Sequence, residues 1–576
     1  MTEPRGQRAT LKMGNGAKEH VLPASFPPRL FLLVVVALVL FYGVVYPNLH
    51  IVVASLHTNG QWSLGNYRQA LAQLVLLESV STSIAISTLT VLFCALIGIP
   101  LAFLFERYAF PGRDLFAVLA ALPLVLPPLV GTIAFIFLCG ESGILARVVQ
   151  GLLDLPRSPW TLQGWPALLL FHTYTMYPFF YVLTGAGLRR IDAGLAEAAR
   201  SLGAGREQVI FRVVLPQLTP SLIAAGLLTF MTSMASFSAP LLFGGNVRVL
   251  TLEIFTARQR GDIGAATTET VILAIISLSA LIFFQRYEGT RRFAAAAMKG
   301  APSSRKKIKE GRNRALAILA GIVFSLVLVL PVATLILVSF ARDGQWTTET
   351  LPPAYTMQNY VRVLTDRSAS EVFVNSILMS AIAALAALVW SFCVASLVTS
   401  KTQIKGRRVI SFLVLITWAL PGTVVAVSIA EAYGKPSLLL GSFVLVGTFW
   451  ILPVIYFLRF MPLVVRSVQA SMEQLDASVT EAAASLGARW WRRFSHVTLP
   501  LVLPGAIAGS LLAFVIAMGE YVASVLVFVP RNRPVSIAIA SELRDFNLGS
   551  AATYGVILVA IIAACMIAAA KLERSR

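Results

Sequence analysis

Charge is the first thing this chain is short of. Only 13% of its 576 residues are charged, against 57% hydrophobic residues and a mean hydropathy of +0.78. A water-soluble chain of this length needs far more charge to cover its surface, so the excess apolar surface must face lipid. Cysteine is scarce as well. Cys94, Cys139, Cys393 and Cys565 fall within or at the ends of apolar runs. Their spacing suits neither a metal site nor a disulfide framework, and they read as small buried apolar residues. The phosphate-cradling pattern G-x-x-x-x-G-K-[ST] is missing; its nearest approach, Gly434-Lys435, runs into Pro436. The chain therefore has no ATP-hydrolysing site of its own. No His/Glu metal spacing and no nucleophile–base pair occurs at membrane depth, so no catalytic residue, metal ligand or cofactor is expected and the chain is not expected to be an enzyme. Base-reading motifs are absent, which excludes nucleic acid as an expected partner. The first 29 residues are mostly polar, and no small-residue cleavage pattern follows the next apolar run, so a retained first helix is expected instead of a signal peptide.

Long apolar runs are abundant. A bilayer core takes about 20 apolar residues per helix, and twelve such stretches can be read, at 30–54, 79–105, 115–139, 166–187, 221–243, 269–287, 314–341, 373–398, 409–433, 439–461, 504–529 and 551–571. The short connection at 434–438 leaves room for a re-entrant pair. The formal net charge of +20 is distributed unevenly. With the N-terminus placed inside, 34 of the 47 lysines and arginines fall in cytoplasmic segments and 13 in external ones. This bias predicts that both termini are cytoplasmic, with anionic lipid headgroups as a secondary beneficiary of the basic balance. The fold class expected is all-α integral membrane.

The chain is also a repeat. A basic stretch with Gly, Pro and Ser, QRYEGTRRFAAAAMKGAPSSRKKIKEGRNR, cannot span and reads as a cytoplasmic linker. The expected division is a cytoplasmic tail over 1–29, a first six-span domain over 30–287, a linker over 288–313 and a second six-span domain over 314–576. At an offset of 284, Glu197 to Pro216 aligns with Glu481 to Pro500 with ten of twenty residues identical. Asp192 likewise matches Asp476, and Pro220 matches Pro504. Weaker echoes pair Asn66-Tyr67 with Asn359-Tyr360, Gly112-Arg113 with Gly406-Arg407 and Leu122-Pro123 with Leu420-Pro421. Six is an even number, so the repeats are parallel, related by a pseudo-twofold axis along the membrane normal with a pathway between them.

The repeated segment lies between the fourth and fifth spans of each half. Asp192 can cap a short helix over 193–202, and Gly203 can end it with a left-handed turn; Asp476 and Gly487 do the same in the second half. Ala198 and Ala199 let another surface approach the backbone, beside the single charge of Glu197. Leu215-Pro216 then starts the next span at a residue that lacks an N–H. An ordinary interfacial helix needs none of this order twice.

Glu-Ala-Ala, a Gly six residues after the Glu, and Leu-Pro twelve and thirteen residues beyond that Gly resemble the signature loop of ABC-importer permeases. The resemblance covers both halves, although only this loop is highly specific. It implies a type I ABC importer permease fold with about 12 transmembrane helices in two parallel six-helix repeats. It implies a permease of the bacterial inner membrane that works with separate ATP-binding subunits in two copies and with an extracytoplasmic substrate-binding protein. By resemblance, Glu197, Ala198, Ala199, Gly203, Leu215 and Pro216 form one coupling loop with an ATPase subunit, and Glu481, Ala482, Ala483, Gly487, Leu499 and Pro500 form the other. A secondary transporter of the major-facilitator type is the alternative with six plus six parallel spans. It would carry a Gly-Asp-Arg-rich loop between its second and third spans, where this chain has Glu106 to Asp114 without that pattern.

Inside the membrane, Glu520 is the most conspicuous charge, and at the repeat offset it falls opposite Ser236. If their spans line the pathway, the two face each other across the axis, and a packing role hydrogen-bonded to a neighbouring helix is the equal alternative. Glu431 reads as interfacial, and His172 as a polar contact between helices more than a substrate ligand. Fusion of both halves resembles the ferric-iron and thiamine importers, with phosphonate and polyamine systems as relatives. The string Ser236 to Gly245 resembles the ferric-iron type most, although no Tyr/His/Asp cluster suited to Fe(III) appears in the spans.

Overall fold

The computed structural model describes residues 26–58, 60–295, 305–308, 310–346, 349–398, 406–436 and 441–574. Residues 1–25 of the expected tail and 296–304 of the expected linker lie outside them. In the first half we label α1 Leu30–Ser55, α2 Leu74–Arg107, α3 Arg113–Leu119, α4 Pro128–Cys139, α5 Gly164–Arg190, α6 Ala193–Ser201, α7 Leu215–Met234, α8 Ser238–Phe243 and α9 Ile263–Ala295. In the second we label α10 Gly311–Ser339, α11 Arg367–Val398, α12 Arg407–Ala419, α13 Gly422–Ala432, α14 Ile451–Glu473, α15 Ala477–Ser485, α16 Leu499–Met518, α17 Val522–Val527 and α18 Leu548–Arg574.

Each helix of one half has its counterpart nine labels later, and the local chemistry repeats with it. Asn66 donates through its amide to the carbonyls of Ser55 (3.0 Å) and His57 (3.1 Å), while Tyr67 hydroxyl meets Ser55 Oγ at 2.8 Å. Asn359 does the same to Ser339 (3.0 Å) and Ala341 (2.9 Å), with Tyr360 hydroxyl 2.7 Å from Ser339 Oγ. The Asn-Tyr echo is thus one device used twice to tie off the first span. Gly112 and Gly406 both take positive φ, +79° and +101°, ahead of α3 and α12. The Leu-Pro echo needs a correction. Pro127 (φ −55°, ψ 139°) leads into α4 as Pro421 (φ −54°, ψ 150°) leads into α13. Leu126-Pro127, not Leu122-Pro123, is therefore the structural match to Leu420-Pro421.

The count of spans also differs from the expected twelve. Among the described residues ten helices are long and apolar enough to cross a membrane, or eleven if a bent pair counts as one span. The expected span at 166–187 is α5, 27 residues long, where His172, Thr173, Tyr174, Tyr177 and Tyr181 are buried. His172, Tyr174, Tyr177 and Tyr181 bond to other segments, and these polar residues lower the mean hydropathy of the helix. The stretch 439–461 starts later than expected, at Ile451. Four expected continuous spans are broken instead. The spans at 115–139 and 409–433 break at Leu-Pro, with α12 and α13 bent by 107°. A residue before proline avoids the helical region, and Leu126 (ψ 120°) and Leu420 (ψ 130°) are extended. The spans at 221–243 and 504–529 break after Met234 and Met518, and short helices resume at Ser238 and Val522.

The first span of each half packs on the other half. Val36, Leu40 and Val44 of α1 share a core with Val394, Val414 and Val425 of α11 to α13. Leu335 and Val338 of α10 share one with Leu129, Ile133 and Phe137 of α4. With no hydrophobic driving force between helices in lipid, close approach does this work. At Gly98 of α2 a Cβ would lie 2.6 Å from Phe180 Cβ and 2.7 Å from the Tyr177 carbonyl of α5.

Candidate coupling loops and the broken spans at the axis

The two signature loops fold alike. Asp192 Oδ1 accepts the Gly194 amide at 2.9 Å, and Asp476 Oδ1 accepts the Ser478 amide at 2.9 Å, so each carboxylate caps its helix as its position predicts. The Ser478 amide and hydroxyl hold the Asp476 carboxyl below its ordinary value. Helix α6 closes with Gly203 N–H on the Arg200 carbonyl (2.9 Å) and Ala204 N–H on that of Ala199 (3.0 Å). Helix α15 closes with Gly487 on Ala484 (3.0 Å) and Ala488 on Ala483 (3.1 Å). Both ends are Schellman turns, and Gly203 and Gly487 take φ of +85° and +79°.

The exposed surface of the loops is where sequence reasoning missed residues. Leu202 and Leu486, the residues before those glycines, are 89% and 88% exposed. Two large apolar side chains held in water at equivalent tips of capped helices have the character of knobs awaiting a partner. The signal was available, since Leu-Gly is identical in both repeats. Glu197, Ala198, Glu481 and Ala482 are exposed, whereas Ala199 and Ala483 are half-buried against their own halves. Leu215 and Pro216 sit elsewhere: a π-helical turn over Ile210–Val214 precedes them, and another over Phe494–Thr498 precedes Leu499 and Pro500. Pro216 has no N–H to give the Arg212 carbonyl and its ring would crowd that group, so the wider turn relieves both problems. These four residues aim the next span from the loop; the exposed tips are at the other end of the segment.

At the axis the broken spans α7–α8 and α16–α17 meet. Phe237 and Tyr521, equivalent at the repeat offset, have ring centroids 6.0 Å apart. A Cβ on Gly519 would lie 2.8 Å from Pro127 Cβ of the first half. Ser236 and Glu520 each bond within their own half, as the packing alternative of the sequence reading has it. Ser236 Oγ lies 2.9 Å from His172 Nε2, whose Nδ1 lies 3.2 Å from Ser233 Oγ. His172 is fully buried and engaged between α5 and α7, which makes it a contact between helices. The Ser236 carbonyl, freed by the break, accepts from Thr251 Oγ1 at 2.7 Å, and the Glu520 carbonyl accepts from Ser524 Oγ (2.7 Å) and Ser536 Oγ (2.9 Å).

Glu520 is buried, and its charge has a partner that sequence reasoning missed. Its Oε1 accepts the Ala523 amide at 2.9 Å, and its Oε2 is ion-paired with Arg459 of α14. The guanidinium lies 5.5 Å from the Phe460 ring centroid and against Gly422, where a Cβ would come within 2.6 Å of Arg459 Cζ. The expected span at 439–461 would put Arg459 near its end. Because α14 runs from Ile451 to Glu473, it lies well inside. Glu431, read as interfacial, pairs across the halves with Arg258 at 3.1 Å, both partly exposed.

Comparison with known proteins agrees with this geometry. A family model for binding-protein-dependent transport system inner membrane components matches residues 95–289 and again residues 391–576. A probable ABC transporter permease protein, y4fN of Sinorhizobium fredii, is 30% identical over 85% of this chain and 86% of its own length. The ferric transport system permease protein FbpB of Actinobacillus pleuropneumoniae is 24% identical over 92% of this chain and 76% of its own. The molybdenum transport system permease protein ModB of Escherichia coli K12 is 30% identical over 36% of this chain and 90% of its own. Two copies of the domain in one polypeptide, each with a capped and exposed signature loop, fit all of these likenesses: this chain is a fused, two-domain, multi-pass member of the ABC-importer permease family of the inner membrane.

Proposed function

We propose that the chain forms the translocation pathway of a ferric-iron importer and is driven through α6 and α15 by two copies of a separate ATPase subunit. The observation that carries the reading is the pair of exposed helix tips, Leu202-Gly203 and Leu486-Gly487, presented identically by both halves. A knob on a capped, rigid helix fits a groove in a partner, and two knobs fit two copies of it. Closure of the ATPase dimer on ATP would then push the two loops together and rock the halves about the Phe237–Tyr521 contact. The ATPase supplies the catalysis, and this chain contributes no catalytic residue, metal ligand or cofactor. A substrate-binding protein delivers cargo on the face opposite the loops, and the termini lie in the cytoplasm.

Ferric iron is favoured over thiamine, phosphonate or polyamine because several of the long relatives carry ferric transport in their names, whereas y4fN is named for no substrate. Shorter relatives named for molybdenum and for 2-aminoethylphosphonate match only part of the chain. The pathway runs past the breaks at Ser236 and Glu520, where backbone carbonyls leave the helical ladder. The test is uptake of radiolabelled Fe(III), presented by the binding protein encoded beside this chain, into proteoliposomes holding the permease with its ATPase. ATP-dependent accumulation of iron supports the proposal. Accumulation of molybdate or a phosphonate instead of iron overturns the substrate, and uptake without an ATPase overturns the coupling.

A further inference from the structure

The two halves differ at the loop-facing end of the bundle, between the end of the second span and the start of the third. In the first half this place is closed. Glu106 is surrounded by three arginines: Arg113 at 4.0 Å, Arg305 at 3.5 Å, and Arg189, with which it is paired. The linker seals it, as Tyr108-Ala109 pairs in parallel with Lys306-Lys307.

Among the described residues of the second half, the corresponding place holds a cavity of about 750 Å³ between α9, the ends of α11 and α14 and the start of α12; residues 399–405, which join α11 to α12, lie outside the described residues. Arg407, the counterpart of Arg113, lines it with Arg408 and Arg466. Among the described residues none of these three is ion-paired, and Arg407 only donates to the Val398 carbonyl at 3.4 Å. Glu473 stands where the first half has Arg189, and Gln285 and Gln469 add amide donors. Three cations with one carboxylate nearby leave the cavity net positive. Its rim is apolar: Val409 is 59% exposed and Phe412 41%.

We propose that this cavity binds the headgroup of an anionic phospholipid of the adjoining leaflet. The arginine guanidinium groups match phosphate oxygens in geometry and charge. The exposed Val409 and Phe412 give acyl chains an apolar wall that a free anion has no use for. Residues 1–25, which precede α1 as the linker precedes α10, are a poor occupant because they carry more basic than acidic residues. The site adjoins the coupling loop, since Glu473 is three residues from the capping Asp476. The bound lipid would thus brace the segment that transmits ATPase motion in the second half, as Glu106 and the linker do in the first.

The experiment is native mass spectrometry of the full-length permease titrated with phosphatidylglycerol or phosphatidylcholine. Tight binding of one or two phosphatidylglycerol molecules is expected, with affinity falling on the order of 100-fold in Arg407→Gln/Arg408→Gln/Arg466→Gln, from about fivefold per basic residue. The single variant Arg466→Gln, at an exposed side chain, should show about one such step. A control with Arg190, Arg212 and Arg492 changed to Gln should bind as the parent does. Equal loss in the control overturns the site in favour of general surface charge. Displacement of the lipid by millimolar inorganic phosphate overturns it in favour of a free anion. A gain in lipid binding on deleting residues 2–25 assigns the cavity to the tail and overturns it as well.

Discussion

Glu520→Gln isolates the buried ion pair at the axis. The substitution keeps the side chain's size and its acceptor for the Ala523 amide, and it removes only the charge facing Arg459. The Glu520 side chain is 6% exposed and that of Arg459 18%, so little water reaches either to compensate. Leaving one member of a buried pair uncompensated costs roughly 3–5 kcal/mol, whereas replacing both by neutral groups of similar volume costs little. The expected ordering is therefore that Glu520→Gln and Arg459→Met each destabilise strongly, while the double variant recovers most of the loss. A coupling of roughly 2 kcal/mol or more between positions in direct contact is the quantity to measure, by thermal unfolding in detergent with a double-variant cycle. Uptake follows the same sign: Glu520→Gln leaves a bare cation near the proposed pathway, so a cationic substrate should suffer more than an anionic one. If Glu520→Gln unfolds at the parent's temperature and the two single effects simply add, the charges do not hold each other and the argument fails.

The other predictions concern the loops and the orientation. Gly203→Val and Gly487→Val should cost roughly 1–2 kcal/mol each at the turn, because a β-branched residue resists positive φ. No atom lies within 4 Å of the added Cβ at either position, so crowding is not the cause. Both variants should reach the membrane yet lose ATPase co-purification, and normal assembly and transport in both would end the coupling reading. Leu202→Ser and Leu486→Ser, at side chains already in water, should leave the permease's own stability within about 0.5 kcal/mol. They should weaken ATPase binding at least tenfold in a pull-down titration, and unchanged binding would remove the knobs from the interface. Cysteines placed at Lys306 and Asp545 test the orientation with an impermeant reagent on intact cells. Position 545 should label and position 306 should not, and the reverse pattern would invert the topology.

Much of the loop chemistry was legible because it is local. A capping Asp, a helix and a Gly with positive φ lie within about a dozen residues, and such turns form without distant help. The Asn-Tyr echo was legible as a pattern but not as a device, since its partners at 55 and 339 belong to the preceding span. The continuous spans read at 221–243 and 504–529 erred for another reason. Hydropathy averages over about 20 residues, while the break at Ser236 or Glu520 depends on one carbonyl finding a hydroxyl from Thr251 or Ser536.

The sequence alone determined that this chain lives in a membrane and that it is a parallel duplication, and it singled out the repeated segment that is proposed to meet a partner. Each follows from composition, periodicity or chain-local turns, which need no knowledge of what touches what. Tertiary structure decided what those quantities cannot carry. It placed Arg459 against Glu520, brought Phe237 onto Tyr521 at the axis, and exchanged the first spans between halves. It also set an arginine-lined cavity in the second half at the place where the first half pairs Tyr108-Ala109 with the linker. The physical reason is that in lipid every helix is already apolar, so pairing is selected by scattered small residues and single polar groups on facing helices. Such matches become visible only once the helices are side by side.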